Sequence, residues 1–224
     1  MALRRDEALA TIRTDMGRSC KRALQEVQNV CLAAIRRSGA DGDLTALLPS
    51  DEVLEELGGH GEPHLDEAYA AAIADAALTV DREAPSGLEG GARVHAAVAT
   101  FRAVLAHEVT SSLRATLRAG LEADETEPQL SERVGEVFRD LRGPVVESLV
   151  DEHLLRTWEH GLLDAWEQLD VKTVRWLAVD EPRCPEGRCR TNASEGAVSL
   201  GSDFPSGDRV PPAHPGCLCT IVPV

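Results

Sequence analysis

The sequence predicts a mainly α protein with a small α+β C-terminal domain: elongated amphipathic helices followed by a loop-rich two-strand unit stapled by a Cys/His cluster. Three observations carry this. Apolar residues recur every three or four positions through most of the first 170 residues, the spacing that gathers side chains on one face of a helix. After Asp170 the chain turns to β-branched and aromatic residues set between Gly- and Pro-rich loops, the composition of short strands and turns. Four of the six cysteines and one histidine then fall between positions 184 and 219.

In segment 3–37 Leu9, Ile12, Met16, Cys20, Leu24, Val27, Cys31 and Ile35 form one stripe of a long helix, which Ser38-Gly39 closes. Cys20 and Cys31 belong to that stripe, and a free cysteine packs as a small hydrophobe. Residues 51–57 predict a short helix with Ser50 as N-cap, Asp51 and Glu52 favourably placed in its first turn, and Gly58-Gly59 as its stop. The stretch His60-Gly61-Glu62-Pro63-His64 reads as a mobile surface turn and not as a metal pair. An alanine-rich helix over about 65–83 is separated by Pro85-Ser86-Gly87 and Gly90-Gly91 from another over about 92–119. On the latter, Val94, Val98, Phe101, Leu105, Val109, Leu113 and Leu117 keep helical spacing, while His95 and His107 fall outside the stripe and are expected in solvent.

Acidic residues 122–127 read as a linker, after which a shorter helix begins near Ser131 and ends at Gly143. Pro144 suits the first position of a final long helix, 144–169, carrying Val146, Leu149, Val150, Leu154, Trp158, Leu162 and Trp166. His153 and His160 lie two turns apart on it, about 10 Å, too far to share an ion. The expected division is therefore a helical region, 1–143, and a C-terminal domain, 144–224.

Within that domain, Thr173 to Val179 and Leu218 to Val222 are the two strands. Two strands and long loops make a poor core, so the unit calls for a staple. Cys184, Cys189, His214, Cys217 and Cys219 are the candidate metal ligands. Thiolate and imidazole converge on one point only where the backbone reverses, and Pro211, Pro212, Pro215 and Gly216 supply the reversal. The spacing C-x4-C then H-x2-C-x-C leaves a structural zinc, a disulfide and free thiols all open.

Composition bounds the function. No apolar run approaches the ~20 residues that cross a bilayer, and the opening residues lack the apolar core of a signal peptide. The expectation is a cytoplasmic start, where thiols stay reduced, which favours metal over crosslink. The net charge of −15 is unevenly spread: residues 1–40 hold eight Arg/Lys against four acids, 171–224 six of each, leaving −19 to residues 41–170. A surface that acidic repels phosphate, so only the basic first segment is a candidate for touching DNA or an acidic partner, against the simpler reading of a solvated helix face. A free-standing DNA-binding zinc module is disfavoured because the terminal region has no basic excess. The alternative to a structural role is a metal-dependent hydrolase or nucleic-acid-modifying enzyme centred on His214, the cysteines and Asp180 or Glu181. Against it, the chain carries no phosphate-cradling glycine loop with lysine, no nucleophile elbow and no HExxH helix.

The run Trp176-Leu177-Ala178-Val179-Asp180-Glu181-Pro182-Arg183-Cys184-Pro185, then Asn192, then Phe204-Pro205-Ser206-Gly207, then Pro211-Pro212-Ala213-His214-Pro215-Gly216-Cys217-Leu218-Cys219, resembles the C-terminal domain of the phage Mu F-like minor head proteins. The resemblance covers about residues 150–224. It departs from the family pattern in the four residues between Cys184 and Cys189, in Leu218 between the last two cysteines, and in Arg156-Thr157-Trp158-Glu159, which only partly matches an Arg-Thr-Glu element on the preceding helix. It implies a structural, non-enzymatic role in head morphogenesis of a tailed bacteriophage or prophage, with the portal protein and capsid or scaffold proteins as partners. The implied place is the capsid interior of the virion, reached from the host cytoplasm, with no membrane contact. The match says little of residues 1–145, and packaged DNA, an acidic partner surface and plain solvent stay open, on charge alone, for the basic first helix.

Overall fold

The first apolar stripe becomes α1, Ala2–Ser38, in a computed structural model that describes residues 2–38, 43–88, 91–179, 184 and 187–224. Every residue of the predicted stripe is buried in it, including Cys20 and Cys31. A single turn, α2 (Leu44–Leu47), is capped by Asp43, and α3 (Asp51–Gly59) by Ser50, whose hydroxyl accepts from the Val53 N–H at 3.4 Å. Then come α4 (Glu62–Thr79), α5 (Ala92–Glu122), α6 (Glu127–Asp140) and α7 (Val146–Gln168). No helix among the described residues is long and apolar enough to cross a membrane.

The chain packs as two compact units that interleave along the sequence. One gathers the segment ending at Asp15 with residues 63–97 and 150–224; the other gathers 16–62 and 98–149. The expected division at 143/144 differs from this because the start of α1, α4 and the start of α5 lend their faces to α7 and to the strands beyond it. Gly143 does not end a helix cleanly either: residues 141–145 form a π-helical kink in which Gly143 leaves helical angles (φ −96°, ψ −115°), and the helix resumes at Val146.

In the 16–62/98–149 unit, Met16 and Leu24 of α1, Phe101 of α5 and Phe138 of α6 are all fully buried. The turn between α3 and α4, expected to be mobile, is instead packed. A Cβ on Gly61 would stand 2.3 Å from Phe101 Cε1, so glycine is required for the ring to lie against the backbone. Glycine marks a close approach here, a meaning its sequence context does not distinguish from flexibility.

In the other unit, α4 lies against α7. Trp166 donates its indole N–H to the Ala76 carbonyl at 3.2 Å, and Tyr69 donates to Asp164, which Arg93 also pairs. Beyond α7 the chain forms an antiparallel sheet of three strands, β1 (Thr173–Leu177), β2 (Ala197–Ser199) and β3 (Thr220–Pro223), in the order β2-β1-β3. Val174 sits opposite Val198, and Trp176 opposite Ile221. The sequence reading missed β2, three residues long, and also α8 (Arg188–Glu195), whose polar sequence carries no apolar stripe. Trp176 meets Phe204 edge-on at 5.1 Å and 74°, closing the core beneath the sheet.

Candidate metal centre

Three chain segments deliver the cysteines and histidine. Cys184 precedes α8, Cys189 is the second residue of α8, and His214, Cys217 and Cys219 follow one another on the turn that leads into β3. Gly187 starts α8 in the left-handed region (φ 68°), where glycine is favoured. Asn192, in the middle of α8 and without solvent contact, fixes the helix to the 204–208 loop: its amide donates to Ser206 Oγ at 2.8 Å, and its carbonyl accepts from the Ser206 N–H at 3.0 Å. Asp208 in turn accepts from Ser206 Oγ at 2.8 Å. The Cys217 N–H donates to the His214 carbonyl at 3.1 Å, the backbone reversal that brings both side chains to one side.

The five predicted ligands fall into two groups that share one cysteine. Cys184, Cys189 and His214 form one group whose ligand atoms lie within 4.8 Å of one another, and Cys189, Cys217 and Cys219 form a second. Cys189 is common to both. Its sulfur stands 3.4 Å from His214 Nε2 and 3.6 Å from Cys217 Sγ, and its own N–H donates to Cys184 Sγ at 3.2 Å. Cys189, Cys217 and Cys219 are buried, while Cys184 and His214 are half-buried. No disulfide joins any of the six cysteines.

Two features of the local electrostatics suit a cation, the His214 tautomer and the lowered Cys219 thiol, while Cys189 and Cys217 are held as thiols. His214 Nδ1 faces the Pro215 carbonyl at 2.9 Å, and because a carbonyl only accepts, Nδ1 carries the proton and the Nε2 lone pair is left for the cysteines' side. The Cys217 thiol, donating to Cys219, holds Cys219 well below the ordinary thiol range, helped by the Val179 N–H and the Trp176 indole. The same hydrogen bond, with burial, pushes Cys217 up, and burial pushes Cys189 up to about 12. The Trp176 indole N–H is buried near the Cys219 sulfur without a hydrogen-bond partner of its own. A histidine fixed in one tautomer and four gathered thiols can hold a metal ion. Val179, Cys184, Cys189, His214 and Cys217 to Cys219 enclose a hollow of about 20 Å³, room for one small atom or ion.

Asp180 and Glu181, the acids named for an enzymatic alternative, lie outside the described residues, as do Pro182, Arg183, Pro185 and Glu186 of the resembling run. Cys20 and Cys31 are buried in α1, and burial pushes each thiol up to about 12, which suppresses the thiolate. His153 is buried and His160 half-buried on α7; His95 and His107 are exposed.

Two residues around the cluster escaped sequence reasoning. Glu159 is fully buried on α7 and accepts from the Ile221 N–H at 3.1 Å through Oε2. Arg5, 2% exposed, reaches Glu159 Oε1 at 3.3 Å and donates to the Cys219 carbonyl at 2.8 Å and the Leu218 carbonyl at 2.9 Å. The signal for Glu159 was its place among Leu154, Leu155, Trp158, Leu162 and Leu163, where a carboxylate needs a partner. Nothing local singles out Arg5 among the basic residues of α1. At least four of those eight are matched within the chain, Arg4 with Asp75, Arg5 with Glu159, Arg13 with Asp151 and Lys21 with Glu147. No family model, curated protein or solved structure matches the chain.

Proposed function

We propose that this protein is a structural component of tailed-phage head assembly, in the manner of the Mu F-like minor head proteins it resembles, and that a zinc ion braces its C-terminal β unit. The observation that carries the reading is the convergence of Cys184, Cys189, His214, Cys217 and Cys219 from three segments upon Cys189. A tetrahedral zinc with Zn–S arms of about 2.3 Å has edges of roughly 3.8 Å between sulfurs, a little shorter where nitrogen replaces one. The 3.6 Å and 3.4 Å separations around Cys189 fit those edges. An ion there takes its remaining ligands from Cys184, His214, Cys217 and Cys219.

Two features favour bracing over catalysis. A thiolate-rich shell closes the coordination sphere, whereas catalytic zinc keeps an open position beside mostly His and carboxylate ligands. The hollow at the cluster has room for an ion but not for a substrate. The partners in this reading are proteins, the portal and the capsid or scaffold, since internal acids already engage much of the α1 charge that was a candidate for DNA. The protein then resides in the virion interior.

Elemental analysis of protein purified without added chelator should give one zinc per chain, and Cys189→Ser should abolish it; metal-free wild type with intact thiols would remove the brace. Mass spectrometry of purified heads from the phage-producing host should find this chain beside the portal. Its absence from both empty and filled heads would remove the assembly role.

A further inference from the structure

Among the described residues, the Arg5 guanidinium is the buried cation that reaches the chain between two candidate ligands. Its Nη2 donates to the Leu218 carbonyl and its Nη1 to the Cys219 carbonyl, so the peptide that joins Leu218 to Cys219 and the peptide after it are gripped through their oxygens. Glu159 pairs with Arg5 and takes the Ile221 N–H, extending the grip to the start of β3. Residues 214–219 are also shaped by a local turn, closed by the Cys217 N–H with the prolines and glycine around it, and by Cys189 and the Val179 N–H against their side chains. Long-range restraints thus act on one short segment, a metal on its sulfurs and Arg5 on its carbonyls.

We infer that Arg5 is a positioning residue of the metal centre, and that metal occupancy and the docking of the first turns of α1 are reciprocally linked through the Leu218 and Cys219 carbonyls. The inference rests on the zinc reading. When α1 is docked, the Cys217–Cys219 segment is already ordered and an ion binds without ordering it. When the ion is bound, the two carbonyls already stand where Arg5 meets them. Linkage requires the factor to be the same in both directions. Outer partners of metal ligands change affinity by roughly 10- to 100-fold, the range expected here. An arginine is suited to the task because its planar fork serves two carbonyls and a carboxylate at once, which a lysine ammonium on a flexible stem does not reproduce.

The test uses the full chain. Zinc affinity is measured by competition with a chromophoric chelator for wild type, Arg5→Ala, Arg5→Lys and Arg4→Ala. Arg4 shares the first turns of α1 but pairs with Asp75 and Thr79, away from the cysteines, so its variant reports on loss of an α1 contact alone. Arg5→Ala should bind zinc roughly 10- to 100-fold more weakly, Arg5→Lys should recover only part, and Arg4→Ala should match wild type. In wild type, hydrogen exchange at residues 4–15 should speed up when zinc is stripped, an arm that stands even where Arg5→Ala does not fold. Equal affinity in Arg5→Ala and wild type, or exchange at residues 4–15 indifferent to zinc, overturns the linkage. Wild type that binds no zinc at all overturns the zinc reading itself, and is seen before any variant is made.

Discussion

Glu159 and His160 are adjacent on α7 and pull stability in opposite directions with pH. Burial pushes the Glu159 carboxyl from 4.5 up to about 7 in spite of Arg5, so the folded chain holds a proton there that the unfolded chain releases, and acidification from 7 toward 4.5 stabilises. Burial, then Arg93 and Arg156, lower His160 from 6.5 to about 4, and its Nδ1 is buried without a partner. Here the unfolded chain takes up a proton that the folded chain refuses, so stability present above pH 6.5 is lost progressively as pH falls toward 4. We predict that His160→Leu loses less stability between about pH 7 and pH 5 than wild type, measured as the shift in urea midpoint; an equal shift would show that His160 does not titrate in that window. At the candidate ligands, Cys217→Ser and His214→Ala should each make residues 171–224 protease-sensitive while far-UV circular dichroism keeps its helical signal. Unchanged resistance in both would remove the staple. The cysteines and His214 announced themselves because their chemistry is rare and their spacing tight. Arg5 did not, because one arginine among eight basic residues looks like solvated charge until its partner, 154 positions away, is known.

Helices in this chain are set by period and placed by glycines. On α7, a Cβ at Gly161 would come within 2.8 Å of both the Ala72 Cβ and the Tyr69 carbonyl of α4, so Gly161→Ala forces the two helices apart and should cost about 1–3 kcal/mol. Gly17 on α1 has no atom within 4 Å of such a Cβ, and Gly17→Ala should stabilise by up to about 1 kcal/mol through helix propensity alone. Urea denaturation of the two variants checks both signs, and a neutral Gly161→Ala would mean that α4 and α7 yield without loss of packing. The long helices were legible because their stripes repeat many times over. The start of α6 was not, since Glu127-Pro128-Gln129 resembles a linker until Thr126 is seen to meet the Gln129 side chain, its N–H donating at 2.9 Å. Nor were α8 and β2: eight mostly polar helix residues and three strand residues are too short to show a period, and Asn192 and the neighbouring β1 hold them in place.

At the scale of the whole molecule, the two units interleave along the chain but differ in what orders them. On the zinc reading, a high-affinity chelator should raise hydrogen exchange across residues 173–224 and leave α5 and α6 within 98–140 as protected as before, because their buried stripes contain no candidate ligand. Uniform loss of protection would show the chain to unfold as one cooperative body. The sequence alone determined that the chain is mostly helical, that its character changes at Asp170, and that five soft donors gather near its end. Those properties are written in local period, composition and spacing, which the chain carries wherever it goes. Only the tertiary structure decided that the segment ending at Asp15 and residues 63–97 pack with the C-terminal part, that Arg5 and Glu159 grip the segment leading into β3, and that a third strand completes the sheet. Such pairings join residues far apart in the chain, and which distant partners meet is settled by packing and by the need to satisfy buried charge.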